Sequence, residues 1–441
     1  MATSNQTGFL ARFAIDSRAA RAWAWYDWAN SAMYTVVVTA IYPLFLANVL
    51  ARDLPEGMAT ELLALTNGVS LAAVAFGALF LGAYADARGW RKRLLTVFAT
   101  LGILATASMF FLGPGDYVLG LTAYGIANFG VAMSVVFYDA LLPHVAPEGR
   151  EDDLSSTGFA FGYIGGGLLL ALAVGVIFYA TKLGLPAVEE DDTKLVFRIS
   201  FVLVALWWAV FMTPLLRNVP EPPSEGRTMG VGDVLGQVVG IWRSLMGFPQ
   251  AALLLLAFLL YSDGINTMVR MSSIYADELG IGSGTIITVF LAIQFVAMPA
   301  TLLFAGLARK VGAKAVVLLG VAAFIVITVF AYGMSTETDF WILGLSVGAV
   351  MGAVQALSRS LFARMIPAAK SGEFFGVFAL GEKVGGALGP FLFFTAMKAF
   401  DSSRSAILVL VVIFLAGGAV LLRVNVQKGE EAVRRFESGT P

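Results

Sequence analysis

The sequence has no cysteine and a single histidine, His144. The missing cysteines exclude disulfide bonds, thiolate metal sites and a cysteine nucleophile, and one histidine cannot supply a multi-histidine metal site. Charge is also scarce, because only 13% of the residues are charged and the net charge is −1. The chain therefore offers no basic surface for nucleic acid. We expect no metal, no cofactor and no enzyme activity.

What the sequence has in abundance is apolar residues, which make up 58% of it, with a mean hydropathy of +0.81. A helix needs about 20 predominantly apolar residues to cross a bilayer. Twelve runs of this kind predict an all-α membrane protein with twelve transmembrane helices. We number them spans one to twelve: 25–50, 62–84, 94–112, 118–139, 156–181, 196–216, 251–275, 283–308, 314–334, 339–362, 375–397 and 405–424.

The connections between the spans predict the orientation and the domains. Lysine and arginine concentrate in alternate connections and at both ends, which predicts that both termini are cytoplasmic. The long connection 217–250 opens with the proline-rich "RNVPEPPSEG" and continues with apolar residues at helical spacing, which predicts an amphipathic surface helix. We therefore predict a six-helix lobe at 1–216, a linker at 217–250, and a second lobe with its tail at 251–441. The first twenty residues are interpreted as a short polar arm.

The two halves repeat each other. Gly82 and Gly306 are 224 residues apart, and so are Pro143 and Pro367. Three glycines of span five recur in span eleven at an offset of 223: Gly158, Gly162 and Gly166 match Gly381, Gly385 and Gly389. A duplicated six-helix unit is typical of a two-lobed secondary transporter, so these landmarks predict two pseudo-symmetric lobes.

The turn after span two, "GAYADARGWRKR" at 82–93, fits motif A of the major facilitator superfamily. In this interpretation Asp86 faces the positive end of a neighbouring helix. Together with Arg88 it is predicted to latch the cytoplasmic side against the start of span eleven, near residues 372–375. An ordinary positive-inside loop is the alternative. The second copy of the turn has Lys310 where the first has Asp86.

The glycine stripe of span five, "GFAFGYIGGG", lets two helices approach closely. It resembles the antiporter motif of the same superfamily, except that Tyr163 stands where proline is usual. Tight packing of spans at the lobe interface is the competing interpretation.

Ionisable and amide side chains inside the spans are candidates for a substrate cavity, because burying them in a membrane is costly. Asp263, Asn266 and Arg270 share one face of span seven. Lys383 is a candidate partner for Asp263, with a purely structural ion pair as the alternative. The predicted cavity comprises Asn30, Tyr34, Asp263, Asn266, Arg270, Gln355, Glu382 and Lys383.

Charged residues near the inner ends of the spans are candidates for a gate. Arg359 and Arg364 are the predicted inner-gate cations, with Asp27 as a candidate partner. The alternative for Asp27 is an acid in the first turn of span one, where the helix dipole favours it. The neighbouring tryptophans fit an aromatic belt. His144 is interpreted as a loop residue. The predicted gating residues are Asp27, Asp86, Arg88, Arg359 and Arg364.

Several blocks together resemble the vacuole-effluxer branch of the major facilitator superfamily, the family of the autophagy-related vacuolar amino-acid exporters and their bacterial relatives. They are "WYDWANSA" (25–32), "YDALLPHV" (138–145), "STGFAFGYIGGG" (156–167), "YSDGINTM" (261–268) and "GAVQALSRSLFARMIPAAKSGEFFGVF" (352–378).

The resemblance implies a transporter that moves small solutes by alternating access, with efflux of amino acids as the precedent. It also implies a small-molecule substrate, a lipid bilayer around the protein and protons as the candidate coupling ion. We expect a monomer in the inner membrane of a bacterial cell. A drug or lipid exporter of the same superfamily is the rival interpretation, and a membrane receptor or scaffold without transport is the alternative from another class.

Overall fold

The computed structural model describes residues 9–55, 57–186, 191, 193–224, 233–278, 280–385, 388–400 and 406–439. In the first half, the spans are Arg18–Leu50, Met58–Arg88, Arg91–Phe111, Tyr117–Val145, Glu151–Phe178 and Leu195–Asn218. In the second half, spans seven to ten are Pro249–Glu278, Ser283–Val311, Ala313–Tyr332 and Glu337–Arg364. Span eleven is described in two pieces, Ser371–Gly385 and Leu388–Phe400, and span twelve is Val409–Arg423.

These bounds confirm the predicted all-α membrane fold. Ten helices among the described residues are long and apolar enough to cross a membrane. Span twelve reaches that criterion only together with the helix Val426–Ser438, from which it is bent by 55°. We call Val426–Ser438 the C-terminal helix. Span eleven is interrupted by residues outside the described part of the chain.

Span one begins earlier than the sequence predicted. Its first helix starts at Arg18, where the Ser17 side chain accepts a hydrogen bond from the amide of Ala20 at 3.0 Å. A serine cap of this kind satisfies one of the free amides at a helix start. Asp27 therefore lies well inside the helix, and its interpretation as a first-turn acid is wrong.

The packing of helices repeats between the two halves. Spans one and six, three and four, and two and four pack together in the first half. Spans seven and twelve, nine and ten, and eight and ten do the same in the second. The two lobes meet where span two packs on span eleven and span five packs on span eight. Each lobe is thus one copy of the same six-helix unit, although the limits 216 and 251 stay predictions.

The glycine stripe of span five packs against span one. A Cβ atom built on Gly158 would lie 2.6 Å from Oδ2 of Asp27, and one on Gly162 would lie 2.5 Å from Oγ of Ser31. The close approach of Gly158 and Gly162 therefore joins two helices within the first lobe. Gly167 of the same stripe packs at the predicted lobe interface, where a Cβ atom would lie 2.9 Å from Cβ of Gln294 in span eight. Gly381 makes the matching contact in the second lobe, against Leu259 of span seven.

Three segments outside the spans lie at one end of the bundle, which we call the inner face. Residues 9–17, here the N-terminal strap, include a short 3₁₀ helix at Phe9–Phe13. Ala14 and Ile15 of the strap are buried, so it is not a free polar arm. The linker contains the predicted helix at Asp233–Met246, which buries Ile241 and Leu245. The C-terminal helix is the third segment.

Candidate functional site

A buried arginine joins the two lobes near the inner face. Arg359 of span ten is only 4% exposed. Its Nη1 donates a hydrogen bond to Oδ1 of Asp139 at 2.9 Å, and its Nη2 lies 3.5 Å from Oδ2 of Asp27. Both carboxylates belong to the first lobe, on spans four and one. A cation of one lobe is therefore held between two acids of the other, and the predicted contact between Asp27 and Arg359 is present.

Two further hydrogen bonds join the Arg359 guanidinium to Ser155 of span five. Nε donates to Oγ of Ser155 at 2.9 Å, and Nη2 donates to the carbonyl oxygen of the same residue at 3.0 Å. The Ser155 hydroxyl in turn donates to the carbonyl of Ala356 at 2.7 Å. Ser155 belongs to span five and Ala356 to span ten, so each lobe donates a hydrogen bond to the other. Four hydrogen bonds to the first lobe offset most of the cost of burying this guanidinium.

Aromatic rings surround the same arginine. The guanidinium carbon lies 4.9 Å from the ring centroid of Trp23, 5.4 Å from Tyr138 and 4.4 Å from Phe159. At this range, each ring attracts a cation through its negative face. Tyr138 also donates to Oδ2 of Asp27 at 2.8 Å and stacks on Trp23 with centroids 4.2 Å apart. Trp23 is fully buried, so the aromatic-belt interpretation is wrong for this residue.

We call Asp27, Asp139, Ser155 and Arg359 the gate cluster. It carries two acids and one base, so one negative charge has no basic partner within the cluster. Removing one partner from a buried ionic group is expensive, because the remaining charge stays out of water. The assembled cluster therefore stabilises the contact between the two lobes, and its role as a gate stays a prediction.

Arg364 lies one turn beyond the gate cluster and is half-buried. Its Nη1 lies 3.1 Å from Oδ2 of Asp152 in span five, and its Nε lies 3.3 Å from Glu430 of the C-terminal helix. Ser360 donates to the other oxygen of Asp152 at 2.5 Å. This second contact joins both lobes and the C-terminal helix.

The motif A turn contacts span eleven, as the sequence predicted. Oδ1 of Asp86 accepts from the amide of Gly372 at 2.9 Å, and Oδ2 accepts from the amide of Glu373 at 2.7 Å. These amides are free donors at a helix start, where the dipole also favours an anion. The carboxylate of one lobe therefore caps a helix of the other. Its role as a latch during transport stays a prediction.

The partner of Asp86 is Arg91 and not Arg88. Nη2 of Arg91 lies 2.7 Å from Oδ1 of Asp86, and both side chains are buried. Arg91 also donates to the carbonyl of Ala369 in the other lobe. Arg88, by contrast, is exposed and lies over the Tyr84 ring at 5.7 Å. The two arginines differ because span two ends at Arg88 and span three starts at Arg91. The turn between the two helices directs the Arg91 side chain inward.

The linker is attached to this turn. Glu221 accepts hydrogen bonds from the amides of Lys92 at 2.7 Å and Arg93 at 3.1 Å, and so caps the start of span three. Partial burial raises the pKa of the Glu221 carboxyl above its usual range, although the two amides lower it. The side chain of Lys92 donates to the carbonyl of Val219 at 2.7 Å.

The interpretation of His144 as a loop residue is wrong. The residue lies in the last turn of span four, because the helix continues through Pro143 to Val145. Its Nε2 lies 3.2 Å from Oγ of Ser371 in the other lobe. The side chain therefore belongs to the interface between spans four and eleven.

The residues predicted to form a cavity do not share one environment. Asn30 is buried and donates to the carbonyl of Tyr26 at 2.8 Å. Tyr34 and Glu382 are half-buried and lie within electrostatic range of each other across the lobe interface. Arg270 is exposed and within electrostatic range of Tyr124 in the first lobe. The structure thus places an acid and a base of the second lobe within electrostatic range of tyrosines of the first.

Asp263 is buried, and neither of its carboxylate oxygens has a hydrogen-bond partner of good geometry within the described part of the chain. Span eleven covers it, because a Cβ atom on Gly389 would lie 2.9 Å from Oδ2. Asn266 and Gln355 are half-buried. The side chain of Lys383 lies outside the described part, so its pairing with Asp263 stays a prediction.

The sequence interpretation missed Asp139, Ser155 and Arg91. Asp139 could have been found, because it is an acid within an apolar run, which is the same signal that selected Asp263. Ser155 could not, because a serine at the start of a span has many ordinary roles. Arg91 was assigned to the basic cluster of the turn, where only the geometry separates it from Arg88.

The sequence is similar to those of known membrane transporters, in agreement with the helical membrane fold described above. The family described as "Vacuole effluxer Atg22 like" matches residues 58–434. The chain is 32% identical over 404 residues to an uncharacterized MFS-type transporter, YxiO, of Bacillus subtilis, covering 90% of this chain and 93% of that one. It is 24% identical over 429 residues to autophagy-related protein 22-1 of Phaeosphaeria nodorum, covering 81% and 74%.

Solved structures show the same fold at low identity. The human organic anion transporter MFSD10 superposes with a TM-score of 0.72 at 13% identity, over 92% of this chain and 99% of that one. The proton:xylose symporter XylE superposes with a TM-score of 0.71 at 15% identity, over 95% and 98%. Twelve spans in two lobes, the motif A contact and the family match agree, so the chain belongs to the vacuole effluxer Atg22-like family of major facilitator transporters.

Proposed function

We propose that the chain exports small zwitterionic metabolites, amino acids among them, by alternating access, with the gate cluster as its inner gate. The observation that carries this proposal is Arg359, a buried cation of one lobe held by Asp27 and Asp139 of the other. Rocking of two lobes around a central site is the mechanism of this architecture. Opening the inner face requires Arg359 to leave both carboxylates.

The substrate class is supported by the charges of the second lobe. Glu382 lies within electrostatic range of Tyr34, and Arg270, further towards the outer end of span seven, lies within electrostatic range of Tyr124. An acid and a base at different depths of one interface suit a molecule that carries an amine and a carboxylate. We assign the amine to Glu382 and the carboxylate to Arg270, since Asp263 is covered by Gly389 in this conformation. Asn266 and Gln355 are proposed to supply neutral hydrogen bonds.

Protons are the coupling ion that we propose. The gate cluster has one acid more than it has bases, and Asp263 is a further buried acid whose carboxylate oxygens have no hydrogen-bond partner of good geometry within the described residues. Buried carboxylates of this kind are neutralised most easily by binding a proton. If an ionophore that collapses the proton gradient leaves substrate accumulation in liposomes unchanged, coupling to protons is wrong and facilitated diffusion replaces it.

The substrate and the gate need separate tests. For the substrate, the purified chain is screened by thermal shift against amino acids, and each compound that stabilises it is tested for counterflow in liposomes. We expect amino acids to stabilise the chain, and to do so less in the Glu382→Gln variant. Stabilisation only by hydrophobic drugs or lipids would favour the rival exporter, and binding without any counterflow would favour a receptor.

The gate is tested by labelling a buried position at the inner face. Because the chain has no cysteine, Ala356→Cys introduces a single thiol at a fully buried site in the lobe interface. In the Arg359→Gln background we expect maleimide to label this thiol at least about tenfold faster, because loss of the ion pairs favours the open inner face. An Arg434→Gln background is the matched control, since Arg434 is exposed on the C-terminal helix. Equal labelling rates in both backgrounds would disprove the gate.

A further inference from the structure

A cleft rich in arginine opens at the inner face beside the N-terminal strap. Its volume is about 400 Å³, and it is lined by Ala11, Arg12, Arg150 and Arg309. Arg12 belongs to the strap, Arg150 directly precedes span five, and Arg309 is near the end of span eight. We call it the arginine cleft. Both lobes and the strap contribute to it.

The positive charge of the cleft is not balanced by the residues around it. The carboxylate of Asp153 pairs with Arg150 through Oδ2 and with Arg309 through Oδ1, each at 2.6 Å. Both oxygens of Asp153 are therefore in use. The Arg12 side chain is exposed and has no ion pair within the described part of the chain. The three guanidinium groups of the cleft outnumber the carboxylate that pairs with them, which leaves positive charge for an anionic ligand.

The backbone acceptors near the cleft are also occupied. Arg150 donates to the carbonyl oxygens of Ala11 and Arg12, and Arg309 lies 3.4 Å from the same oxygen of Arg12. Thr157 donates to the carbonyl of Phe13 at 2.8 Å. These hydrogen bonds fix the backbone of the strap to the first lobe. The exposed side chain of Arg12 can still reach a ligand. An incoming ligand must bring its own acceptors, so it must be an anion.

A second cavity of about 210 Å³ continues from the arginine cleft and shares Arg12 and Arg309 with it. Its further lining includes the apolar side chains of Phe13, Leu302 and Ala305, together with Thr157 and with Asp153, whose carboxylate is paired with Arg150 and Arg309. The ligand that fits both cavities has a phosphate at one end and an apolar body at the other. Guanidinium groups bind phosphate oxygens in pairs, which makes phosphate a better match than a halide.

We propose that the arginine cleft binds the phosphate group of an anionic membrane lipid, and that this ligand ties the strap and the first lobe to Arg309 of the second lobe. Basic pockets between helices on the cytoplasmic side are suited to such headgroups. Because the ligand bridges both lobes only while they are together, it stabilises the closed inner face. Free phosphate has the same anionic chemistry, but the apolar cavity favours the lipid. The binding step is independent of the proposed function, whereas the effect on transport rests on it.

The binding step is tested with the full chain purified in neutral detergent. Unfolding temperature is measured with phosphatidylglycerol, with phosphatidylcholine and with inorganic phosphate. We expect phosphatidylglycerol to raise it by several degrees in the wild type and in Arg434→Gln, and to have no effect in the double variant Arg12→Gln, Arg309→Gln. Arg309→Lys, which keeps the charge, should retain part of the shift.

Three outcomes decide the proposal. A full shift with inorganic phosphate would identify free phosphate as the source and overturn the lipid. An equal shift with phosphatidylcholine, or a phosphatidylglycerol shift that survives in the double variant, would show a general detergent or lipid effect and overturn the site. If the double variant does not fold, the single variant Arg12→Gln decides, because the Arg12 side chain is exposed and makes no ion pair within the described residues.

The effect on conformation is measured separately, by the distance between spin labels on Arg88→Cys and Ala369→Cys. Both positions are exposed, and they lie in different lobes at the other junction of the inner face. We expect phosphatidylglycerol to increase the short-distance population in the wild type and to leave it unchanged in the double variant. Binding without any change in this distance would overturn the bridging role while leaving the site intact.

Discussion

Apart from the gate cluster, two of the places where the lobes meet at the inner face are related by the internal repeat, yet they use opposite chemistry. At the junction of spans two and eleven, the turn supplies an acid, Asp86, which caps the start of the facing helix. At the junction of spans five and eight, the matching turn supplies a base, Arg309, which pairs with Asp153 in the first turn of the facing helix. The two repeats of the fold thus make equivalent contacts at the inner face, one through the acid Asp86 and the other through the base Arg309.

Burial separates the two junctions more than charge does. The side chains of Asp86 and Arg91 are 2% and 0% exposed, whereas that of Arg309 is 51% exposed. Water screens an exposed ion pair, so its contribution is small, but a buried group that loses its partner is strongly destabilising. The junction of spans two and eleven is therefore a buried, fixed contact. The junction of spans five and eight is exposed and can change its ion pairs, which suits a site that binds a ligand.

The largest effect is expected from Asp86→Asn. This change leaves Arg91 buried without a counter-charge, and we expect the inner-closed state to lose about 3–5 kcal/mol of stability. The measurement is the maleimide labelling rate of Ala356→Cys, together with the unfolding temperature. Arg88→Gln is the matched control, because Arg88 is exposed in the same turn. Equal effects of the two variants would show that burial does not distinguish these residues.

A second prediction compares the two glycines that the repeat relates. A Cβ atom on Gly82 would lie against the backbone of span eleven, 2.8 Å from the carbonyl carbon of Gly372, whereas one on Gly306 would meet only the flexible end of Arg309 at 3.5 Å. Gly82→Ala should therefore destabilise the closed inner face by about 1–3 kcal/mol through overpacking. Gly306→Ala serves as the control and should leave the labelling rate unchanged. A similar rate in both variants would mean that the junctions are equally tight.

A smaller effect is expected from Arg309→Gln in the absence of anionic lipid. An exposed ion pair contributes about 0–1 kcal/mol, and Asp153 keeps its pair with Arg150 in this variant. The unfolding temperature in neutral detergent should thus change by no more than a degree or two. A loss as large as that of Asp86→Asn would make the second junction as rigid as the first.

The smallest effect is expected from ionic strength. Salt screens charges that water reaches and hardly affects buried ones. The difference between wild type and Arg309→Gln should disappear at about 1 M salt, where the screening length is about 3 Å. The difference between wild type and Asp86→Asn should persist. The reverse pattern would contradict the assignment of the exposed and the buried junction.

The fold was largely predictable because a membrane imposes simple rules on sequence. Length and hydropathy predicted the spans, and the repeat at Gly82 and Gly306 predicted the two lobes. The contact of Asp86 with span eleven followed from motif A. The candidate site was less predictable, since side chains in a helix reach several neighbours and the sequence does not say which. Arg88 was preferred to Arg91 for this reason, and Asp139 was overlooked although it lies in an apolar run.

An all-α membrane bundle with an internal repeat and a charged turn after span two followed from the sequence alone, because apolar runs, glycine spacing and basic loops are local patterns along the chain. Only the tertiary structure decided which charges meet. Arg359 and Asp139 are 220 residues apart along the chain, and their pairing depends on how two lobes pack against each other. The same holds for the arginine cleft, which exists because the strap folds back to bring Arg12 beside Arg150 and Arg309. Long-range packing sets these distances, and no local pattern encodes it.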